Sequence, residues 1–163
     1  MVSRSSRPTA KARARKAATT SSLWGGLLNG DLVVVDAAPL IYVLDDHADF
    51  APLFAGLFEL HDQGAVDIAI STIAMAEVLA GPFKQGQAVL AERYEKALGS
   101  FEVIPVSQEI AVTAARLRAM SGLRLPDALQ AATALETGAV ALVTHDRDFS
   151  RLAGLRILLG EPT

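Results

Sequence analysis

Four stretches of the sequence place a carboxylate where an apolar run stops. "DLVVVD" ends on Asp36, "ISTIAMAEV" carries Glu77, "RLPDAL" carries Asp127 directly after Pro126, and "LVTHDRDF" crowds Asp146 and Asp148 beside His145 and Arg147. Each acid alone has an ordinary use. Asp36 could cap the helix that follows, Asp127 could favour the positive end of its own helix, and Asp146 or Asp148 could stabilise a turn. Together they suggest more, because converging carboxylates repel in a low-dielectric cleft and stay ionised only with positive charge among them. A hard divalent cation supplies that charge. The chain has no cysteine and no histidine pair at ligand spacing, so the donors are oxygens, which suit Mg2+ or Mn2+ better than zinc. His145 adjoins Asp146, but a strand neighbour points to the opposite face. It is expected beside the site or at the surface, and His47 and His61 receive no role.

The chemistry narrows by exclusion. There is no G-x-x-x-x-G-K-[ST] and no G-x-G-x-x-G after a strand, so cradles for nucleoside triphosphates or dinucleotides are not expected. Metal-assisted hydrolysis of a phosphodiester is the natural remaining use of a carboxylate-bound cation. That makes the chain a candidate nuclease.

The elements that must position these acids alternate along the chain. Short β-branched apolar runs at 31–36, 66–72, 101–106, 139–145 and 155–159 predict strands buried on both faces. Helical patterns at 39–44, 50–62, 73–80, 84–98, 108–120 and 126–137 lie between them. This alternation predicts an α/β fold with a mostly parallel sheet of about five strands, flanked by helices. In such sheets chemistry collects outside the carboxyl ends of the strands. Asp36, Asp146 and Asp148 follow strands directly, Glu77 lies just inside a helix that Ser71 or Thr72 can cap, and Asp127 sits in a first helical turn.

The 163 residues, 51% hydrophobic, suffice for one domain with a real core. Residues 1 to 30 carry six basic side chains and no acid, whereas the remainder holds nine basic against eighteen acidic ones, a balance of −9. The expected division is therefore a basic disordered tail over 1–28 and a folded acidic domain over 29–163. The tail could instead be a transit peptide, an arm that touches nucleic acid, or the product of a misassigned start codon. No apolar run approaches the ~20 residues of a membrane span, and a cysteine-free chain is compatible with the cytoplasm. "FAPLFAGLF" (50–58) holds more apolar surface than one helix face buries, which suggests that Phe54 and Phe58 help form a surface for a partner.

From about residue 32 to 160 the sequence resembles the PIN-domain ribonucleases, and among them the VapC-type toxins of toxin-antitoxin pairs. "VVVDAAPLIYVLD", "ISTIAMAEVLAGP", "LRLPDALQAATAL" and "LVTHDRDF" look like that family's four acidic motifs in order. The resemblance implies a PIN-like three-layer sandwich. It also implies Mg2+ (or Mn2+) held by Asp36, Glu77, Asp127 and Asp146 as the catalytic acids, with Asp148 a possible further ligand and Thr144 a polar neighbour. The implied substrate is single-stranded or looped RNA, and the implied partner is an antitoxin protein; the apolar stretch 50–58 would serve that partner or a second copy of the chain as a homodimer. Ala37 and Ala38 depart from the family pattern, which often has a hydroxyl residue just after the first aspartate. Arg116, Arg118 and Arg124 precede Asp127 and are candidates for phosphate contact, though they could equally be ordinary solvated helix charges.

Other readings have specific tests in the sequence. "DRDFS" resembles the nucleophile motif of haloacid-dehalogenase-like phosphatases, but thirteen residues after Ser150 leave no room for the rest. A phosphorylated receiver needs a lysine after its last strand, and none follows Lys96. A catalytically silent PIN-like protein-binding module remains the alternative from another class, although none of the four acids is missing.

Overall fold

The computed structural model describes residues 24–161. Five strands, β1 (Asp31–Val35), β2 (Val66–Ser71), β3 (Glu102–Ile104), β4 (Ala141–Val143) and β5 (Ile157–Leu158), form one sheet in the order β3-β2-β1-β4-β5. Every pairing is parallel; Val33 lies opposite Ile68 on one side and Ala141 on the other. Six helices connect and cover the strands: α1 (Ala37–Leu44), α2 (Ala51–Asp62), α3 (Thr72–Lys84), α4 (Ala88–Leu98), α5 (Gln108–Ser121) and α6 (Leu125–Glu136). A 3-10 turn at Arg147–Arg151 follows β4. The expected α/β sandwich with a parallel sheet is the observed one.

Alternation along the central strands divides the core. Val33, Val35, Ile68, Ile70, Ala141 and Val143 pack on the face covered by Leu40, Phe54, Leu57, Val78, Tyr94 and Leu98. Val34, Ala69 and Leu142 point to the other face, against Ile110, Ala114, Leu129, Ala131, Ala132 and Phe149. All nine of these strand residues are essentially inaccessible to solvent, so they read as unbroken apolar runs rather than as an alternating pattern. Four of the seven buried residues of α6 are alanine, and these small side chains let the helix approach β1 and β4 closely.

Several boundaries differ from the sequence expectation. The helix expected to stop at residue 80 runs through Pro82 to Lys84, because a proline in the last turn removes only one hydrogen bond near an end that is fraying anyway. The break comes at Gln85–Gln87, where Gly86 takes a left-handed φ of 67°. The outer strands β3 and β5 are shorter than their apolar runs, since each pairs on one side only. The expectation of a tail over 1–28 falls mostly outside the described residues. Within them it needs revision, because Trp24 is 2% exposed and stacks obliquely on Phe54, so the packed part of the chain reaches back at least to Trp24. The expectation for 50–58 is also revised: Phe54 and Leu57 are fully buried and Phe58 packs against Phe101, which makes α2 a core element. Among the described residues no helix is long and apolar enough to cross a membrane.

Candidate functional site

The sheet order reverses direction at β1, whose next strand in sequence, β2, lies on one side while β4 lies on the other. The loops leaving β1 and β4 therefore diverge to opposite faces and open a crevice at their carboxyl ends. Asp36 leaves β1 into this crevice. Its backbone N–H donates to Val143 O at 2.9 Å, which ties it to the end of β4. As N-cap of α1 it has an extended backbone, and its Oδ1 accepts from Ala37 N at 2.8 Å. Its Oδ2 accepts from Thr144 Oγ1 at 2.8 Å. The same Thr144 oxygen accepts from Asp146 N at 3.0 Å. One fully buried hydroxyl thus spaces Asp36 and Asp146, with its single hydrogen already committed. That makes Thr144 a brace between two acids.

Asp146 caps the 3-10 turn, accepting from Asp148 N at 2.8 Å. Asp148 turns outward and pairs with Arg151, both largely exposed, so it stands apart from the other acids. Glu77 projects from α3, whose N-cap Ser71 accepts from Ala74 N at 2.9 Å. Asp127, in the first turn of α6, accepts from Arg124 Nε at 3.0 Å; the carboxylate is 15% exposed and the guanidinium 80%. Arg118 donates to Leu123 O at 3.3 Å and braces the loop before α6, while Arg116 is exposed on α5. His145 lies among Tyr42, Phe50 and Phe54, with Nδ1 3.2 Å from Tyr42 Oη and Nε2 3.4 Å from Glu161. Its ring nitrogens are taken up by Tyr42 and Glu161 rather than by the four acids.

The acids feel one another. Burial holds the Asp36 carboxyl above the usual carboxylate range; the hydrogen bonds from Thr144 and Ala37 oppose this, and the charges of Asp127 and Asp146 add to it. Glu77, more open to solvent, is also raised, first by partial burial and then by Asp36 and Asp127, against relief from Gln130 and Arg124. Among the described residues no three acidic or histidine side chains stand close enough to hold an ion as placed. Donor chemistry and charge nonetheless fit a hard divalent cation. Asp36, Glu77, Asp127 and Asp146 offer only oxygens, their fields overlap, and Glu77 is exposed and free to turn inward.

Gln130 did not emerge from the sequence. It is 1% exposed on the buried side of α6, and its Oε1 accepts from Ser71 Oγ at 2.6 Å. The available signal was one long polar residue inside the run "ALQAATA", where every neighbour is small or apolar.

Known proteins share this architecture. A toxin-antitoxin complex from Klebsiella pneumoniae contains a chain 28% identical, with a TM-score of 0.63 over 80% of this chain and 99% of that one. VapBC2 from Rickettsia felis, bound to a DNA fragment from its promoter, matches at 23% identity and TM-score 0.65 over 77% and 96%. VapC20 of Mycobacterium tuberculosis, a sarcin-ricin loop cleaving toxin, shares the fold at 16% identity and TM-score 0.60 over 76% and 95%. No curated protein sequence matches significantly. The PIN domain profile matches residues 33–155, a span that begins in β1, ends beyond the 3-10 turn and contains all four acids. With that match over most of its length, the chain belongs to the PIN domain family.

Proposed function

We propose that the chain is a Mg2+- or Mn2+-dependent ribonuclease, the toxin of a type II toxin-antitoxin pair, that hydrolyses phosphodiester bonds in single-stranded or looped RNA. The observation that carries the reading is geometric: one buried hydroxyl holds Asp36 and spaces Asp146 at the carboxyl ends of β1 and β4, with Glu77 and Asp127 brought alongside by α3 and α6. The match to the PIN domain profile and the toxin-antitoxin neighbours support it.

When bound, a divalent cation supplies Lewis acidity toward the phosphate and toward water. The chain's own residues would hold and orient it. Asp36 is the rigid donor, fixed by Ala37 and Thr144. Asp146 is spaced from it by the same threonine. Glu77 and Asp127 complete the set from α3 and α6. Arg124, exposed beside Asp127, would meet a backbone phosphate as it nears the acids and offset part of their repulsion. The partner in this reading is an antitoxin protein that covers the crevice, and a homodimer is compatible with it.

The test is cleavage of end-labelled single-stranded RNA by the isolated protein with Mg2+, with Mn2+ and with EDTA. Metal-dependent cleavage that EDTA abolishes is the expected result. Binding of a partner protein without cleavage under any metal condition would favour the silent module instead.

A further inference from the structure

Gln130 is buried and half-used. Ser71 Oγ accepts from Ala74 N as the cap of α3, so its one hydrogen goes to Gln130 Oε1 at 2.6 Å. That contact fixes the amide with its nitrogen on the branch away from Ser71. Nε2 then meets no acceptor at hydrogen-bond distance. An amide nitrogen only donates, and a buried donor left unpaired destabilises the fold. A flipped amide would set its oxygen toward the Glu77 carboxylate, lone pair against anion.

Helices α3 and α6 pack against each other and are joined by the Ser71–Gln130 bond, which sets the spare donor in the seam beside the helix that bears Glu77. The Gln130 amide is near enough to Glu77 to favour its ionised form, although the bond is not closed. Glu77 is the member of the set that can move, since it projects into solvent whereas Gln130 is locked in α6. We propose that Gln130 is a positioning residue for the metal site, donating Nε2–H to the Glu77 carboxylate and holding it toward Asp36 and Asp127. It would serve that side of the crevice as Thr144 serves Asp36 and Asp146. Donors behind a ligand carboxylate fix its orientation and raise metal affinity. The inference rests on the metal-dependent reading above.

The experiment measures Mn2+ affinity of the metal-free protein by calorimetry, for the parent, Gln130→Met, Glu77→Ala and the double variant. Gln130→Met keeps length and volume. It should melt within a few degrees of the parent in EDTA, because the orphan donor goes as the Ser71 hydroxyl loses its acceptor. Its Mn2+ binding should weaken about 10- to 100-fold. In the Glu77→Ala background the same substitution should change affinity by no more than about twofold, because the group it acts through is gone.

A Gln130→Met protein that binds Mn2+ as the parent does overturns the inference, and so does equal weakening in both backgrounds, which marks a purely structural role. A parent that binds no Mn2+ removes the metal-dependent reading and this one with it. Should Gln130→Met not fold, the parent still answers. Its Gln130 side-chain amide protons should shift in the NMR spectrum on adding Mg2+, and should not in Glu77→Ala; an unshifted pair in the parent overturns the inference.

Discussion

At the scale of single residues, the acids divide by how firmly they are held. Among the described residues Asp127 pairs only with Arg124, whose guanidinium lies in solvent, and a pair with one partner so screened contributes little to stability. Asp127→Asn should therefore melt within a few degrees of the parent in EDTA, while losing most of the stabilisation that Mg2+ or Mn2+ gives the parent and most RNA cleavage. Full cleavage by a folded Asp127→Asn protein would remove that residue from the site. Thr144→Val should behave in the opposite order. It strips the donor from Asp36 and the acceptor from Asp146 N–H, both in or beside the core, and should cost about 1–3 kcal/mol without any metal present; Thr144→Ser should restore most of that. Glu77 allows a test by pH. Its folded carboxyl is raised above the ordinary 4.5, chiefly by partial burial, so its favourable contribution exists when it is protonated and is lost as pH rises through the raised value. In EDTA, Glu77→Gln should melt above the parent at neutral pH, and the gap should close as pH falls toward 4.5. The gap is modest, because solvent screens so open a group. A gap that widens on acidification would contradict the stated environment of Glu77.

At the scale of elements, helix α6 sets the site's precision. It carries Asp127 and Gln130 one turn apart and lies against β1 and β4 on alanines with no exposed surface. Ala131→Leu has no space to enter without moving the helix, and overpacking of this kind costs about 1–3 kcal/mol. A thermal melt should show the loss, and a variant as stable as the parent would mean that the interface is looser than its packing indicates. The sheet was legible because unbroken β-branched apolar runs announce strands buried on both faces, and Asp36 and Asp146 stand just beyond two of them. Position singled out Asp36, Glu77, Asp127 and Asp146 as candidates, and the structure sets Asp36 and Asp146 on one shared hydroxyl. The Ser71–Gln130 and Thr144–Asp36 contacts could not, since they join residues 59 and 108 apart in sequence and no local pattern encodes such pairings. The helix expected over 73–80 runs past Pro82 to Lys84. A proline signals a helix end only where its missing N–H matters, and in the last turn of α3 it matters little.

At the scale of the whole molecule, charge and packing separate differently along the chain. All six basic residues of the first thirty precede Trp24, and the rest of the chain carries −9, so charge alone places the boundary anywhere up to the first acid, Asp31. Packing places it earlier. Trp24 is 2% exposed, lies 6.2 Å from the Phe54 ring between centroids, and belongs with Leu27 to the cluster beneath α2. A lone tryptophan among glycines and leucines has no period, which is why hydropathy patterning passed over it. Two truncations separate the possibilities. Removing residues 1–23 keeps Trp24 and its cluster in place, and if the basic segment is a tail, as its composition suggests, the melting temperature should hold within error. Cleavage at moderate salt should persist too, unless the basic arm contributes phosphate contacts, in which case RNA affinity falls and its salt dependence flattens together. Removing residues 1–28 also deletes Trp24. Loss of a buried large aromatic costs about 3–5 kcal/mol, a large share of the stability of a domain this size. The longer truncation should melt many degrees lower or be recovered unfolded, and Trp24→Ala in the full chain should reproduce most of the loss. Equal stability of the two truncations would show that the packed domain begins after Leu28.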